Sequence, residues 1–297
     1  MKVSIIIATH ARPESLARLL ASFKPQLRDN CELIVAENGT PAPIKLPNRE
    51  IVKLHLHDRR AGKCRVQNLA IAVATGDVLV FLDDDLFVAD DYLDQVKRFF
   101  VFHPEFAAMK GRILPQEDPR RVVGQNWVYL DLPIADHGSQ IVEVKGVLGA
   151  NMAFRASALR AVGPFDERLG PGAAGHEEET EMSARLRRSG YRIGYSPNAV
   201  AYHEVDPARA NRARFIRIAR ERGRCRMLHE PHTKFDIAVK NIVASARVAI
   251  ASIMRASGER IAREERRLAV ARGMQDALTP PPLSATDQVT NYSQAPK

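Results

Sequence analysis

Three consecutive aspartates, Asp83, Asp84 and Asp85, directly follow an uninterrupted apolar run from Val78 to Leu82. A short run of β-branched and aromatic residues is typical of a strand that is buried on both faces. In an open α/β sheet, ligands bind at the carboxyl end of such a strand. The three like charges repel one another, and Mg²⁺ or Mn²⁺ would offset that repulsion while also contacting substrate phosphates. The alternative interpretation is an acidic turn that caps the following helix.

A second acidic run, from Glu177 to Glu181, follows a glycine-rich loop at residues 170–175. Glu178 and Glu179 lie four and three residues before Met182, so both tend toward the buried face of the first helical turn. Carboxylates in such a position can exchange protons with a substrate, and the flexible loop could close over a ligand. The alternative is that these acids only complement the positive end of the helix.

The elements around these acids alternate between strand and helix. The predicted strands are residues 3–8, 31–36, 52–57 and 78–82, and the predicted helices between them are residues 13–23 and about 62–74. This βαβ alternation predicts an α/β domain with a mostly parallel central sheet and right-handed crossovers. Because the chain has neither a Gly-x-Gly-x-x-Gly sequence nor a phosphate-loop sequence, any phosphates must be held in another way.

The positive charge of the chain lies in its C-terminal part. Residues 1–204 hold 26 basic and 26 acidic side chains, whereas residues 205–272 hold 17 basic and 7 acidic ones. No apolar run approaches the ~20 residues that a spanning helix needs, and the first residues are typical of a strand and not of a signal peptide. The three cysteines are widely spaced, which argues against a disulfide framework or a zinc site and indicates a cytoplasmic protein.

The order of these motifs resembles family 2 of the glycosyltransferases. The similarity covers about residues 1–205 and rests on eight segments, which are Val3–Arg12, Glu32–Gly39, Gly62–Asn68, Gly76–Asp85, Gly149–Arg155, Val162–Glu167, Glu178–Leu186 and Tyr202–His203. The resemblance implies a single Rossmann-like domain of the GT-A fold, which binds nucleotide-diphospho-sugars. It divides the domain into a nucleotide-binding half at about residues 1–110 and an acceptor and catalytic half at about residues 111–205.

The resemblance also implies which residues hold the nucleotide-sugar donor. These are Thr9, His10, Arg12, Glu37, Lys63, Asn68, Asp83, Asp84 and Asn151. Glu37 stands where the family usually has an aspartate that accepts a hydrogen bond from a pyrimidine, although it could also be a solvated residue beside a turn. Arg12 and Lys63 would approach the diphosphate or remain surface charges. Asn151 would line the donor sugar or the acceptor.

By the same resemblance, Mn²⁺ or Mg²⁺ is held by Asp83, Asp85 and His203, with Asp85 as a direct ligand. Asp83 and Asp85 share a face if the extended conformation continues beyond the strand. The family's acidic pair maps onto Glu178 and Glu179, and the second member is the general base for an inverting transfer. Since the family usually has aspartate there, Glu179 is one methylene longer. The resemblance implies a UDP-sugar as the donor and a hydroxyl of a glycan or of a lipid-linked sugar as the acceptor.

Residues 206–276 form a predicted basic helical extension outside the resemblance. Beyond Pro231, apolar residues recur at helical spacing, at Phe235, Val239, Ile242, Ala246, Ala249, Ile250 and Ile253. Such a helix either packs on its own domain or lies on an anionic membrane, which would place the protein on the inner face of the cell membrane. Nucleic acid is not an expected partner because aromatic residues are sparse there. Residues 277–297 have the composition of a disordered tail.

Two other functions are compatible with the α/β pattern. A metal-dependent nucleotidyltransferase shares the sheet and the acidic site, but it would need a glycine- and lysine-rich phosphate loop where residues 9–13 stand. A non-catalytic protein with a sugar-nucleotide fold could bind partners through its arginine-rich segment. The combination of Asp83, Asp85, Glu179 and His203 argues against that second alternative.

Overall fold

The computed structural model describes residues 1–279, and this part of the chain divides into two compact units. The first unit runs from Met1 to Phe215, and the second begins at Ile216. The division falls inside a helix, beyond the predicted boundary at residue 205. The predicted tail, residues 277–297, lies outside the described residues except for its first three.

A nine-stranded sheet forms the centre of the first unit. Its strands are β1 (Val3–Thr9), β2 (Cys31–Asn38), β3 (Leu54–Asp58), β4 (Val78–Asp83), β5 (Leu86–Val88), β6 (Phe106–Pro115), β7 (Val142–Glu143), β8 (Asn151–Arg155) and β9 (Arg192–His203). Their spatial order is β3-β2-β1-β4-β8-β6-β9-β5, and β7 pairs with β9. The ladders among β1 to β4 and between β6 and β9 are parallel, whereas β5, β7 and β8 are antiparallel to their neighbours. The predicted α/β fold with a mostly parallel central sheet is confirmed.

Helices cover both faces of this sheet. The helices of the chain are α1 (Pro13–Phe23), α2 (Lys63–Val73), α3 (Tyr92–Phe102), α4 (Pro119–Val123), α5 (Ala156–Val162), α6 (Glu178–Arg188), α7 (Arg212–His229), α8 (Lys234–Ile253) and α9 (Gly258–Asp276). Alternate residues of β1 supply two apolar layers, because Ile5 and Ile7 pack in the layer of α1 and α3 while Ile6 packs in the layer of α2 and α5. Strand β1 is accordingly buried along its whole length.

The order of the strands creates a crevice at the carboxyl end of β1. The connections from β1 lead through β2 to β3 on one side, whereas β4 lies on its other side. The register pairs Thr9 with Glu37 and Ala8 with Asp83, so the ends of β1, β2 and β4 are level. Such a topological switch point is where open α/β sheets bind ligands.

A buried carboxylate holds the strands together at their opposite end. Glu32 accepts hydrogen bonds from the Ser4 hydroxyl at 2.5 Å and from the backbone N–H of Thr75 at 2.7 Å, and it pairs with Lys53 at 2.8 Å. Burial alone would raise the pKa of Glu32, but Lys53 and these hydrogen bonds lower it to about 2. The charged form of Glu32 therefore stabilises the fold.

In the second unit, α8 packs against α9 through a narrow face. Its buried residues are Ile237, Ala244 and Ala251. The apolar residues that the sequence placed on one face of this helix are exposed, and they are not the residues that pack against α9. None of the helices in residues 1–279 is long and apolar enough to cross a membrane.

Candidate active site

The middle aspartate of the triplet is buried and fixed to the end of β1. Asp84 is 4% exposed, accepts a hydrogen bond from the Thr9 hydroxyl at 2.6 Å and pairs with Arg12 at 3.2 Å. Burial raises the pKa of Asp84 despite both contacts. Thr9 and Arg12 were predicted from the sequence to bind the donor. Their contacts with Asp84 hold both of them beside the aspartate triplet.

The first aspartate shares a lysine with the second acidic run. The Lys63 ammonium lies 2.6 Å from Asp83 Oδ1 and 3.6 Å from Glu178 Oε1. Burial by itself would lower the pKa of Lys63. The negative charges of Asp83 and Glu178 raise it by more, so the pKa lies above its usual value. Lys63 is thus a permanent cation that links two acidic segments far apart in the sequence.

A tight loop brings that second segment to α2. The backbone N–H of Lys63 donates to the Pro171 carbonyl at 2.8 Å. A Cβ atom at Gly172 would lie 2.5 Å from the Gly62 nitrogen, and Gly172 has a φ of +84°, so only glycine allows this close approach. The glycine-rich loop is therefore packed against α2, immediately before the acids at the start of α6.

Glu179 lies at the edge of this cluster and is partly exposed, whereas Glu178 is buried. Burial of the carboxyl group and the negative charge of Glu178 raise the pKa of Glu179. Gly149 borders both groups, since a Cβ atom there would lie 3.6 Å from Glu178 Oε1 and 3.8 Å from the Glu179 carboxyl carbon. A partly exposed carboxylate with a raised pKa is suited to accept a proton.

The third aspartate points to a different group of residues. Asp85 Oδ1 lies 3.4 Å from His203 Nε2, and its Oδ2 accepts a hydrogen bond from Arg209 at 2.8 Å. The Arg209 guanidinium also lies 3.3 Å from His203 Nε2. Burial raises the pKa of Asp85, but His203 and Arg209 outweigh that effect and lower it.

The predicted set of three metal ligands is not assembled. Asp83 faces Lys63, whereas Asp85 and His203 lie together, and residues 1–279 contain no cluster of three histidine, cysteine or acidic side chains that could hold an ion. The pair of Asp85 and His203 still fits Mn²⁺ or Mg²⁺, because such ions use few protein ligands and complete their shell with phosphates and water. His203 Nδ1 lies 2.8 Å from the Glu204 carbonyl oxygen, which assigns the proton to Nδ1 and leaves the lone pair of Nε2 facing Asp85 and Arg209.

Comparison with known proteins identifies the family of this chain. The family model described as Glycosyl transferase family 2 matches residues 4–163, more than half of the chain. The chain belongs to this family. The resemblance seen in the sequence is confirmed. The protein is a glycosyltransferase, and the two alternatives, a nucleotidyltransferase and a non-catalytic binding protein, are set aside.

Two relatives of this glycosyltransferase each match about two thirds of its length. Glucosyl-dolichyl phosphate glucuronosyltransferase of Haloferax volcanii is 22% identical over 218 residues, which are 69% of this chain and 70% of that protein. O-antigen chain rhamnosyltransferase RfbN of Salmonella typhimurium is 29% identical over 217 residues, or 68% and 66% of the two chains. Both proteins are named as transferases of a sugar, glucuronosyl in the first and rhamnosyl in the second.

Solved structures show the same fold at low sequence identity. The mannosyltransferase of Pyrobaculum calidifontis, in complex with GDP-Man and Mn²⁺, has a TM-score of 0.52 and 18% identity, covering 98% of this chain and 79% of that one. Residues 1–349 of TarS from S. aureus have a TM-score of 0.53 and 13% identity, covering 93% and 92%. These similarities support the GT-A fold of this glycosyltransferase.

Two residues of this glycosyltransferase that were predicted to bind the nucleotide-sugar donor lie at the ends of β1 and β2. His10 is exposed and its Nδ1 lies 2.6 Å from the Asn38 carbonyl oxygen, beside Gly39. Glu37 has no exposed surface, and its carboxylate accepts hydrogen bonds from the Ile44 N–H at 3.0 Å and from the Thr40 hydroxyl at 2.6 Å. These bonds hold the loop after β2 and leave no surface of Glu37 exposed to a nucleotide base.

The two asparagines that were predicted to bind the donor both make hydrogen bonds within the fold. Asn151 is completely buried, where it accepts a hydrogen bond from the Tyr92 hydroxyl at 2.7 Å and donates to the carbonyls of Arg112 and Ala199 at 3.1 Å. It therefore lies in the core. The sequence had predicted instead that it would line the donor sugar or the acceptor. Asn68 exchanges hydrogen bonds with the backbone of Phe165, at 2.9 and 3.0 Å, and so joins α2 to the segment after α5.

Two residues of the site were missed by sequence reasoning. Arg209 was counted only among the arginines of the basic segment, yet it contacts Asp85 and His203. Its position depends on a short 3-10 turn at Pro207–Arg209, which Asp206 caps by accepting from the Ala208 N–H. Gly149 was noted only within a matching segment. For Arg209, the pair Asp206–Pro207 in the sequence does signal a turn. Nothing in the spacing, however, indicates which side chain of that turn contacts Asp85.

Proposed function

We propose that this glycosyltransferase moves a sugar from a nucleoside-diphosphate sugar to a hydroxyl group with inversion at the anomeric carbon, and that Glu179 is the general base. The observation that carries the proposal is the contact of one lysine with both acidic segments. Lys63 lies 2.6 Å from Asp83 and 3.6 Å from Glu178, the neighbour of Glu179. This closeness supports a single-step displacement, in which leaving group and incoming hydroxyl act on the same carbon.

The donor diphosphate would meet cationic side chains at the crevice. Arg12 is half exposed, so its guanidinium can turn from Asp84 to a phosphate and bind it through two N–H groups. Lys63 adds a fixed positive charge beside Asp83. Asp85 and His203 would hold Mn²⁺ or Mg²⁺, which supplies positive charge to the leaving diphosphate.

Glu179 would accept the proton of the attacking hydroxyl. Its raised pKa makes it a stronger base than an ordinary glutamate, provided that the pH lies above that raised value. Burial is the main cause of this raised pKa; the negative charge of Glu178 raises it further, and Lys63 opposes the change. The rate should accordingly fall as the pH falls through the raised pKa, at a higher pH than an unperturbed glutamate would give.

We further propose UDP as the nucleotide and a glycan or a lipid-linked sugar as the acceptor. The Haloferax relative is named for a glucosyl-dolichyl phosphate and the Salmonella relative for an O-antigen chain, so both acceptor classes occur among similar proteins. The Pyrobaculum mannosyltransferase was solved with GDP-Man and Mn²⁺. GDP is therefore the nucleotide against which UDP has to be compared.

A thermal-shift screen of nucleoside diphosphates with and without Mn²⁺ tests the donor. We expect one nucleotide to raise Tm, and only when Mn²⁺ is present. With the matching sugar donor, Glu179→Gln should lower kcat by about 10²- to 10⁴-fold, the usual contribution of a general base, while the nucleotide-dependent shift remains.

Glu181→Gln is the matched control, because Glu181 lies on the same helix but pairs with Arg185 at 2.7 Å. Its kcat should stay near that of the unchanged protein. Normal transfer by Glu179→Gln would refute the assignment of the base, and a product with retained anomeric configuration would refute inversion.

A further inference from the structure

The outer face of α8 carries large apolar side chains that are in contact with solvent. They are Phe235 (76% exposed), Val239 (42%), Ile242 (69%), Val243 (44%), Ile250 (50%), Ile253 (82%) and Met254 (64%), and we call them the α8 ridge. At about 100° per residue they fall within an arc of about 120°. The buried residues Ile237, Ala244 and Ala251 lie on the opposite side of the helix. The ridge therefore lies opposite the face of α8 that packs against α9, and a contiguous apolar surface of this kind marks an interaction site.

A basic groove runs beside the α8 ridge. The groove has a volume of about 490 Å³, and its basic lining residues are Arg226, Lys240, Arg247, Arg263, Arg266 and Arg267. Val239 and Val243 of the ridge also line it, so the apolar ridge and the basic groove are one continuous surface. The only acidic residue of α8, Asp236, is engaged in the capping box with Thr233. On α9, Glu264 pairs with Arg267 at 2.7 Å, but the basic residues of the groove outnumber these acids, so the surface combines exposed apolar side chains with net positive charge.

We infer that the α8 ridge and the basic groove bind the surface of an anionic lipid bilayer, with the ridge among the acyl chains and the arginines at the lipid phosphates. Charge complementarity carries this choice of partner. A second copy of the chain would bring the same basic groove and be repelled, whereas anionic phospholipids present apolar and phosphate groups side by side. A helix of this length spans about 30 Å, and its apolar face runs from Phe235 to Met254, so it lies along the membrane plane.

The inference extends the proposed function without depending on it. Binding to lipid would place the enzyme where lipid-linked acceptors are found, but the binding itself needs neither substrate nor catalysis. Vesicle binding is therefore measured in the absence of nucleotide, and its failure would leave the assignment of Glu179 intact. Equally, an inactive Glu179→Gln variant should still bind vesicles.

The test is sedimentation of the full chain with phosphatidylcholine vesicles, with and without phosphatidylglycerol. We expect binding only to the anionic vesicles and weaker binding at high salt, because surface charges are screened. Ile242→Ser and Ile253→Ser should each weaken binding about tenfold, since burying such a side chain contributes roughly that much. Arg247→Gln with Arg263→Gln should weaken binding to a similar extent.

Matched controls come from the first unit. Phe102→Ser removes an apolar side chain of nearly the same exposure, 67%, and the exposed pair Arg98→Gln with Arg121→Gln removes the same charge. Both controls should bind like the unchanged chain. The inference is overturned if the full chain ignores anionic vesicles, if neutral vesicles bind equally well, or if the ridge variants bind normally. It is also overturned if light scattering without lipid shows a dimer that the ridge variants dissociate.

Discussion

Replacing Arg209 with glutamine should strengthen the binding of Mn²⁺ to the protein in the absence of nucleotide. The Arg209 guanidinium contacts both groups that fit the ion, Asp85 at 2.8 Å and His203 at 3.3 Å. Asp85 and His203 are 15% and 3% exposed in their side chains, so neither can turn freely into solvent. An ion can therefore bind them only after the guanidinium has left its position.

The expected size of the effect follows from that displacement. A hydrogen bond to a charged group contributes about 1.5 to 3 kcal/mol, and about 1.4 kcal/mol corresponds to a factor of ten. Arg209→Gln removes the bond that the ion has to break, so the Kd for Mn²⁺ should fall by about ten- to hundredfold. The same variant should unfold more easily without metal, because Asp85 loses its closest cation.

The assay is titration of free Mn²⁺ by electron paramagnetic resonance, which detects binding without any turnover. Arg18→Gln is the matched control, because Arg18 pairs at 2.7 Å with Glu204, next to His203, while both side chains are more than half exposed. That control should leave the Kd unchanged. An equal or higher Kd for Arg209→Gln would refute the idea that this arginine competes with the ion.

Four further results are expected. Lys63→Met should lower the free energy of unfolding by about 3 kcal/mol, because it leaves Asp83 and a second carboxylate without their shared cation; urea denaturation measures it. Asn151→Leu should cost about 2 to 4 kcal/mol through three unpaired buried groups, while nucleotide affinity of the folded fraction stays unchanged. Glu32→Gln should make the free energy of unfolding depend less on pH in the acid range. The pKa of Glu32 in the folded protein is lowered to about 2. Its stabilisation of about 3 kcal/mol is therefore present above the pKa of the unfolded chain and is lost as the pH falls toward about 2. Chelation of divalent ions should leave Tm unchanged without nucleotide, because protein cations already pair with the aspartate triplet.

Specific outcomes would contradict each of these expectations. A stable Lys63→Met protein would mean that the two acidic segments do not need their lysine. Weaker nucleotide binding by folded Asn151→Leu would return that residue to the crevice. Parallel pH profiles for Glu32→Gln and the unchanged chain would remove Glu32 from the acid transition, and a fall of Tm on chelation would indicate a structural ion.

The sequence predicted the framework because its signals are local. The apolar positions of α1, Leu16, Leu19, Leu20 and Phe23, recur at helical spacing, and all four are fully buried. The four short apolar runs became β1 to β4, and the rule that ligands bind at the carboxyl ends of strands located the acidic crevice. Periodicity and chain direction were sufficient for these conclusions.

The partners of individual polar side chains could not be predicted in this way. Asn151 turns into the core because Gly111 on the neighbouring β6 has no side chain; a Cβ atom there would lie 2.2 Å from the asparagine amide nitrogen. The same limit applies to α8, which is apolar on two faces. Its small residues, Ala244 and Ala251, allow close contact with α9, so the larger residues are the ones left outside. Periodicity finds an apolar face but does not tell which of two faces is buried.

The structure also changes the argument that the aspartate triplet needs a metal to offset its own repulsion. Each aspartate has a cationic partner from another part of the chain: Asp83 pairs with Lys63, Asp84 with Arg12 and Asp85 with Arg209, and Arg12 also lies 3.5 Å from Asp85. The repulsion is therefore already compensated by the protein. These pairs differ in exposure, since Lys63 is buried, whereas the side chain of Arg12 is 52% exposed and that of Arg209 is 21% exposed. The proposed function accordingly requires more movement of Arg12 and Arg209, which would exchange carboxylate for phosphate, than of Lys63, which pairs with both acidic segments.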